Sequence, residues 1–272
     1  MAANIARARS LTVFDIAGTK SLAPENTLIA DDLADVASVA DSIFLSVPDG
    51  VASISIVQAV AGLANCRTST IIDLSTTGMD ASREAFEIAR EAGLTYIDAP
   101  VSGGQAGARA GTVSVMWAGP ETALDRHRDL LELFSGNIFH VGDEAGQGQA
   151  LKVLNNFLSG TALVATSEAI LFGLSQGLDM KVMLDLINVS TGQNTASRDK
   201  FPQRIMTGTY DAGFRTALEA KDLKLYMDAL TKAGTPGRLS ALVAEMWDEC
   251  DEALPDSDFT RIYEFIRDGQ KE

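Results

Sequence analysis

The sequence predicts a chain of two parts, a mostly parallel β-sheet covered by helices and then an all-helical half. Over the first half, short β-rich runs alternate with stretches of helical periodicity, which is the pattern of a parallel sheet covered on both faces. After about Gly148 the strand pattern stops and the rest of the chain has helical periodicity. The change near residues 142–148 therefore predicts a boundary between domains at 1–145 and 146–272.

The elements of the first half follow from their composition. Its strands are short and rich in β-branched and aromatic residues, and most are too apolar to have a face in water. They are predicted at 11–14, 42–47, 69–74, 94–99, 112–118 and 137–141. Helical periodicity predicts helices at 51–64, 80–92 and 121–134.

The second half is divided into helices by Gly, Pro and Asp residues, which mark helix ends and turns. The predicted segments are 148–175, 179–190, about 195–206, 216–233, 236–253 and 258–268. This half contains no β-rich run, so we expect it to be all-helical.

Composition excludes several classes of protein. With 272 residues and 46% hydrophobic content the chain can form a globular core. Its net charge of −15 would repel nucleic acid or an anionic membrane, so neither is an expected partner. The stretch 146–173 is apolar, but Lys152, Asn156 and Glu168 interrupt it, and we expect no membrane span there.

The cysteines and histidines carry little chemistry in this sequence. Cys66 and Cys250 lie far apart and are interpreted as small apolar residues of a protein in a reducing compartment, which predicts the cytoplasm. The N-terminal residues lack the apolar region of a secretory signal. His127 and His140 have no Cys or carboxylate at metal-ligand spacing, so no metal site is predicted.

Three loops after predicted strands are candidates for ligand binding. Asp15 ends the predicted strand at 11–14. In a dinucleotide-binding βαβ unit, an acidic residue at the end of the second strand binds the adenosine ribose hydroxyls and repels a 2′-phosphate. Pro48 and Thr76 lie in loops that each join a strand to a helix, and in a doubly wound sheet such loops line the ligand crevice. Each of these residues is also an ordinary turn residue.

A glycine-rich segment, "DAPVSGGQAGARAGT" at 98–112, is more informative. Gly103 and Gly104, directly after Ser102, leave backbone N–H groups free to bind an anionic group. The alternative interpretation is a long hairpin connection.

The predicted helix that starts near Gly148 carries one lysine in an apolar stretch. Lys152, Asn156, Ser159 and Thr166 recur near one face and form a polar stripe on an otherwise buried helix. A lysine that reaches solvent from a helix start is the usual explanation. A buried Asn156, however, needs hydrogen-bond partners, which favours a functional role for this stripe.

Three motifs in this order, "DAPVSGGQAGARAGT", "GQGQALKVLNN" and "KDLKLYMD", resemble those of the β-hydroxyacid dehydrogenase family, which includes 3-hydroxyisobutyrate dehydrogenase and tartronate semialdehyde reductase. The similarity extends over essentially the whole chain. It implies an α/β Rossmann-type doubly wound domain followed by an all-α domain, linked by a long interdomain helix, with the active site between them. It also implies the activity of an NAD-dependent oxidoreductase that interconverts a small 3-hydroxy acid and its semialdehyde.

The resemblance assigns roles to particular residues. Lys152 matches the catalytic lysine and is expected to be the general acid–base, and Asn156 matches the asparagine that positions the substrate. Ser102, Gly103 and Gly104 match the loop that binds the substrate carboxylate. The positions that match cofactor contacts are Asp15, Val47, Pro48, Thr76, Lys221 and Asp222.

One departure concerns the start of the chain. Family members carry a strand and a G-x-G-x-x-G turn just before the segment that matches "MAAN", and we expect the native start to lie upstream of Met1. NAD is predicted in preference to NADP, because no arginine directly follows Asp15. A homodimer or homotetramer is expected. The alternatives are an imine reductase of the same fold, which usually has another residue in place of Lys152, and a non-catalytic helical dimer or binding module.

Overall fold

The computed structural model describes residues 1–269, and the chain divides into two compact units, Met1–Lys152 and Val153–Glu272. The first unit is an α/β unit and the second is helical, so the predicted fold class is confirmed. A long helix, Gln147–Ser175, begins in the first unit and continues into the second.

Eight strands lie in the first unit. They are β1 (Thr12–Val13), β2 (Leu28–Ile29), β3 (Ser42–Leu45), β4 (Thr70–Asp73), β5 (Thr95–Asp98), β6 (Val101–Ser102), β7 (Val113–Ala118) and β8 (Ser135–Gly142). The six predicted strands correspond to β1, β3, β4, β5, β7 and β8. β2 and β6, which have two residues each, are too short to show periodicity in the sequence.

The strands form two sheets. β3, β4 and β5 are parallel neighbours, and β7 follows β5 in antiparallel orientation while pairing with β8 in parallel. β6 pairs with β7 in antiparallel orientation. β1 and β2 form a separate parallel pair. The expectation of a mostly parallel sheet is therefore correct for its first strands, while β7 reverses direction because only the short 99–112 segment connects it to β5.

The helices of the first unit are α1 (Ala2–Ala6), α2 (Thr19–Leu22), α3 (Leu33–Val39), α4 (Gly50–Ala61), α5 (Met79–Glu91), α6 (Gly104–Ala110) and α7 (Glu121–Leu131), followed by the start of α8 (Gln147–Ser175). α4, α5 and α7 were predicted. The sequence analysis missed α1, α2, α3 and α6, because four to seven residues carry too little periodicity. The segment 103–112 connects the antiparallel strands β6 and β7, as the hairpin alternative expected, and α6 occupies most of it.

Two apolar clusters form the core of this unit. One surrounds Trp117 and Phe134, both fully buried, and the other surrounds Ile71 on β4 and Val57 on α4. β8 departs from the prediction of strands without a wet face. It lies at the edge of the sheet, and its Phe139 is 53% exposed.

The second unit contains α8 from Val153 onward, α9 (Met180–Ile187), a π-helical segment (Ala196–Ile205), α10 (Thr216–Ala233), α11 (Arg238–Ala253), a 3₁₀ turn (Phe259–Arg261) and α12 (Ile262–Gly269). All six predicted helical segments are present. The segment near 195–206 is a π-helix that contains Pro202, which lacks the N–H needed for a regular α-helix. Trp247, Phe201 and Ile262 are buried at the centre of this unit's core.

α8 does not have the burial pattern that its sequence suggested. Lys152, Asn156 and Thr166 of the polar stripe are buried, whereas Leu158 is 59% and Phe172 is 67% exposed. Most of the polar stripe is thus covered, while part of the apolar surface of the helix is exposed, so the description of an otherwise buried helix was wrong. By length and hydropathy α8 could cross a membrane, but core helices of soluble proteins meet the same criteria, and Leu163 and Ile170 of α8 pack in the second unit's core.

Candidate active site

The loops after β3 and β4 lie at the same edge of the sheet, because these strands are parallel and in register from Ser42–Thr70 to Leu45–Asp73. Val47 and Pro48 follow β3, and Thr76 follows β4. The backbone N–H of Val47 donates a hydrogen bond to Ser75 Oγ at 2.9 Å, which joins the two loops directly. The structure therefore brings together three of the residues predicted to contact a cofactor.

Asp15 lies two residues after β1 with its side chain exposed. Its Oδ1 accepts a hydrogen bond from Ala17 N at 2.8 Å, which holds the carboxylate in a tight turn. An exposed, oriented carboxylate at the end of a strand fits the ribose hydroxyls of a dinucleotide. The loops that carry Pro48 and Thr76 stand at the edge of the other sheet, where a ligand crevice is expected in a doubly wound sheet.

Two buried acids at the carboxyl ends of β4 and β5 were not singled out by sequence reasoning. Asp73 accepts hydrogen bonds from Ser53 Oγ, from the Tyr96 hydroxyl at 3.2 Å and from Ser75 N at 2.9 Å. Burial raises the pKa of Asp73, although these hydrogen bonds oppose the shift. Burial also raises the pKa of Asp98 to about 6 against hydrogen bonds from Gln149 and Gly146.

The start of α8 is packed against these acids. Asp98 Oδ2 accepts hydrogen bonds from Gly146 N at 3.0 Å and from Gln149 N at 3.1 Å, so it caps the first turn of the helix. A Cβ on Gly148 would lie 2.7 Å from the Met116 carbonyl oxygen, so only glycine fits there. The glycines of "GQGQALK" thus allow a close approach of α8 to the sheet, which the sequence pattern did not reveal.

Ser102 ends β6, and Gly103 and Gly104 begin α6. Gly103 has φ +131° and Gly104 has φ +62°, conformations that favour glycine. Both glycines are exposed and Ser102 is half-buried. The predicted carboxylate loop is therefore an exposed turn between a strand and a short helix.

Lys152 lies on α8, one turn after Gly148 and one turn before Asn156. The lysine is 8% exposed and Asn156 is 7% exposed, so both polar side chains are nearly covered. A lysine with so little exposure differs from a side chain that extends into solvent, which was the simpler explanation for it.

Within the second unit, Asn156 is joined to two residues of the "KDLKLYMD" motif. Asn156 Nδ2 donates a hydrogen bond to Asp222 Oδ2 at 2.6 Å, and Lys221 Nζ lies 3.3 Å from Asp222 Oδ1. Asp222 is 2% exposed. The helix that carries the predicted substrate asparagine and the helix α10 are thus connected through a buried carboxylate.

Comparison with known proteins identifies the family. The family model "NAD binding domain of 6-phosphogluconate dehydrogenase" matches residues 1–142. A second family model, "NAD-binding of NADP-dependent 3-hydroxyisobutyrate dehydrogenase", matches residues 146–266. The chain is 33% identical to 2-(hydroxymethyl)glutarate dehydrogenase of Eubacterium barkeri over 215 residues, which cover 78% of this chain and 71% of the relative. The chain belongs to the β-hydroxyacid dehydrogenase family.

The structure agrees with that assignment. The 3-hydroxyisobutyrate dehydrogenase of Mycobacterium tuberculosis, solved with L-serine, superimposes with a TM-score of 0.88 at 29% identity and covers 98% of this chain and 94% of its own. An imine reductase from Streptomyces aurantiacus shares the fold, with a TM-score of 0.61 at 18% identity and coverage of 97% and 95%. The predictions of a dehydrogenase and of a nicotinamide dinucleotide as cofactor are confirmed for this β-hydroxyacid dehydrogenase. The preference for NAD over NADP stays a prediction.

None of the described residues forms a cluster of three or more His, Cys, Asp or Glu side chains that could hold a metal ion.

Proposed function

We propose that this protein is an NAD-dependent dehydrogenase that interconverts a small 3-hydroxy acid and its semialdehyde, with Lys152 as the general acid–base. The observation that carries the proposal is Lys152 itself, 8% exposed on α8 one turn before Asn156. Its amine is the proposed proton donor and acceptor, since a side chain that exchanges one proton with a bound substrate has to lie close to it.

The proposed reaction needs one proton and one hydride. A nicotinamide cofactor, when bound, would supply or take up the hydride. During reduction, Lys152 Nζ donates a proton to the aldehyde oxygen as the carbon receives the hydride. During oxidation the neutral amine accepts the hydroxyl proton. The amine and ammonium forms of a single side chain thus serve both directions.

Other residues bind and orient in this proposal. The exposed turn at Ser102, Gly103 and Gly104 binds the substrate carboxylate through backbone N–H groups. Asn156 donates a hydrogen bond from its NH₂ group to Asp222, and its Oδ1 accepts one from Asn155 Nδ2 at 3.3 Å. The second lone pair of Oδ1 is the proposed acceptor for the substrate hydroxyl. Asp15 binds the adenosine ribose, which favours NAD, because a 2′-phosphate would meet its negative charge.

The substrate class is inferred from the similar proteins. 3-Hydroxyisobutyrate, 2-(hydroxymethyl)glutarate and L-serine, which are named for three of these proteins, all contain a CH₂OH group on the carbon that carries the carboxylate. They differ only in the third substituent of that carbon. We infer that this chain oxidises the same HOCH₂–CH(X)–COO⁻ unit. We also infer that residues outside the three motifs determine which substituent X the protein accepts.

The experiment is a panel of initial rates with NAD⁺ in which X is methyl, amino, hydroxyl or carboxyethyl, with the matching 2-hydroxy acid lactate as the control. Turnover of at least one member and no turnover of lactate is the expected result. Turnover of cyclic imines with NADPH and of no hydroxy acid would instead favour the imine reductase. No turnover and no NADH binding would favour the non-catalytic module.

The expected homodimer or homotetramer remains a proposal, and so does the location of the protein in the cytoplasm. Support for self-association comes from exposed apolar side chains of the second unit, which include Leu158, Phe172, Val182, Leu186 and Val189. Large apolar side chains in contact with water are stabilised when a partner surface covers them. Light scattering coupled to gel filtration measures the mass directly.

A further inference from the structure

In the first unit, the side-chain amide of Gln149 makes hydrogen bonds through both of its N–H groups and through its oxygen. It is fully buried. Its Oε1 accepts hydrogen bonds from Thr77 N at 2.9 Å and Gly78 N at 3.2 Å. Its Nε2 donates to Asp98 Oδ1 at 2.7 Å and to the Ser75 carbonyl oxygen at 3.0 Å. Both donors and both lone pairs of the amide are therefore engaged.

These hydrogen bonds join the start of α8 to the loop after β4. Thr77 and Gly78 flank Thr76 on its C-terminal side, and Ser75 precedes it. Because Gln149 binds Thr77 N and Gly78 N, those two N–H groups do not serve a ligand. The side chain instead fixes the peptide planes on both sides of Thr76.

The loop after β3 is attached to the same network through Ser75. Ser75 Oγ accepts from Val47 N at 2.9 Å, while Ser75 N donates to Asp73 Oδ1 at 2.9 Å. The loops that carry Val47 and Thr76 are thereby linked to one residue of α8. That residue lies three positions before Lys152, on the same side of the helix.

We propose that Gln149 is a positioning residue that holds the two cofactor loops and the helical turn of Lys152 at one fixed spacing. This inference rests on the proposed function, because it takes Thr76 as a cofactor contact and Lys152 as the proton-transfer group. Gln149 acts through backbone groups and through Asp98. Hydride transfer is sensitive to displacements of about 1 Å, so a small shift of this spacing lowers the rate.

The network offers substitutions that separate positioning from simple loss of stability. Gln149→Met keeps the length of the side chain and removes all four hydrogen bonds. Gln149→Glu keeps the acceptor for Thr77 and Gly78 but places a second carboxylate against Asp98, where two like charges repel. In the double variant Asp98→Asn/Gln149→Glu the amide and the carboxylate exchange places, so a donor again faces an acceptor. Gln147→Met, an exposed glutamine of the same helix, is the matched control.

The experiment measures NADH affinity by fluorescence titration and kcat and KM with the best substrate of the panel, on variants shown by circular dichroism to be folded at the assay temperature. For Gln149→Met and Gln149→Glu, we expect NADH affinity and kcat each to fall about tenfold or more. Gln147→Met should match the unchanged protein. The double variant should recover part of what Gln149→Glu loses.

Lower melting temperatures with unchanged NADH affinity and kcat would show a purely structural role and overturn the inference. If Gln149→Met does not fold, the double variant Asp98→Asn/Gln149→Glu provides the test. The inference would also be overturned if this double variant lost as much NADH binding and kcat, expressed as free energies, as the single variants Asp98→Asn and Gln149→Glu lose together. A Lys152→Ala variant that keeps full turnover would contradict the proposed function separately, because the NADH affinity of the Gln149 variants does not depend on that lysine.

Discussion

The side-chain amide of Asn156 donates a hydrogen bond of 2.6 Å to the carboxylate of Asp222, which is 2% exposed. The hydrogen bond links α8 to α10 within the second unit. A charged acceptor makes such a bond stronger than one between neutral groups, and it fixes which end of the amide faces the carboxylate. Asp222 is thus placed to orient Asn156, and its contact with the cofactor stays a prediction.

From this pair we predict that Asp222→Ala lowers kcat/KM about tenfold or more, because Asn156 loses the partner that orients it. Asp228→Ala, at an exposed aspartate on the same helix, is the control and should leave kcat/KM unchanged. The two variants are compared by steady-state kinetics. Equal kcat/KM in both variants would contradict a role for Asp222 in orienting Asn156.

The second prediction concerns proton transfer. Lys152→Ala should lower kcat by about 10²-fold or more, the usual effect of removing a general acid–base, while NADH affinity stays nearly unchanged. Lys181→Ala, at an exposed lysine paired with Asp185, is the matched control. Single-turnover rates and NADH titrations test both parts. Near-normal turnover of Lys152→Ala would remove Lys152 from the mechanism.

The third prediction concerns cofactor choice. The exposed carboxylate of Asp15 should make kcat/KM for NAD higher than for NADP, and Asp15→Ser should narrow that gap. Asp129→Ser, at an exposed aspartate on α7, should leave the ratio unchanged. Steady-state kinetics with both cofactors provides the ratios. If the unchanged protein uses the two cofactors equally, Asp15 does not select between them.

The fourth prediction is a pH dependence of stability. Burial raises the pKa of Asp98 to about 6, above the value of about 3.9 in an unfolded chain. A raised pKa means that the folded state binds the proton more tightly, so this contribution to stability is complete below about pH 4 and is lost as the pH rises through about 6.

The change between pH 5 and 7 should be on the order of 1 kcal/mol. Melting curves of the unchanged protein and of Asp98→Asn across this range test it. The advantage of the unchanged protein over Asp98→Asn should be larger at pH 5 than at pH 7. An advantage that grows toward pH 7 would show the opposite sign and refute the prediction.

The fifth prediction concerns packing in the second unit. A Cβ on Gly160 would overlap Glu219 Oε1 and lie 3.1 Å from Trp247 Nε1, and both side chains are buried. Gly160→Ala should therefore lower the free energy of unfolding by about 1–3 kcal/mol. Gly192→Ala, where the nearest atom is 3.6 Å away, is the control. Denaturant unfolding compares them, and equal stabilities would mean that the Glu219 side chain moves aside at little cost.

Much of this protein was determined by its sequence. The strand-rich first half, the helical second half and α10 at 216–233 follow from periodicity, because each long element repeats its apolar residues at the spacing of its own secondary structure. Lys152 and Asn156 were singled out as candidate site residues because a charged residue and an amide in an apolar helix need an explanation.

The tertiary structure decided what periodicity does not encode. Which side chains of α8 are covered depends on what packs against the helix. The sequence predicted a buried helix with a polar stripe, but in the structure Lys152 is buried and Leu158 is exposed. Gln149 is an ordinary polar residue in the sequence. Its role follows from partners 51 to 74 positions away in the chain, Asp98, Ser75 and Thr77. Because a side-chain amide has no preferred partner at a fixed sequence distance, only folding determines which groups it joins.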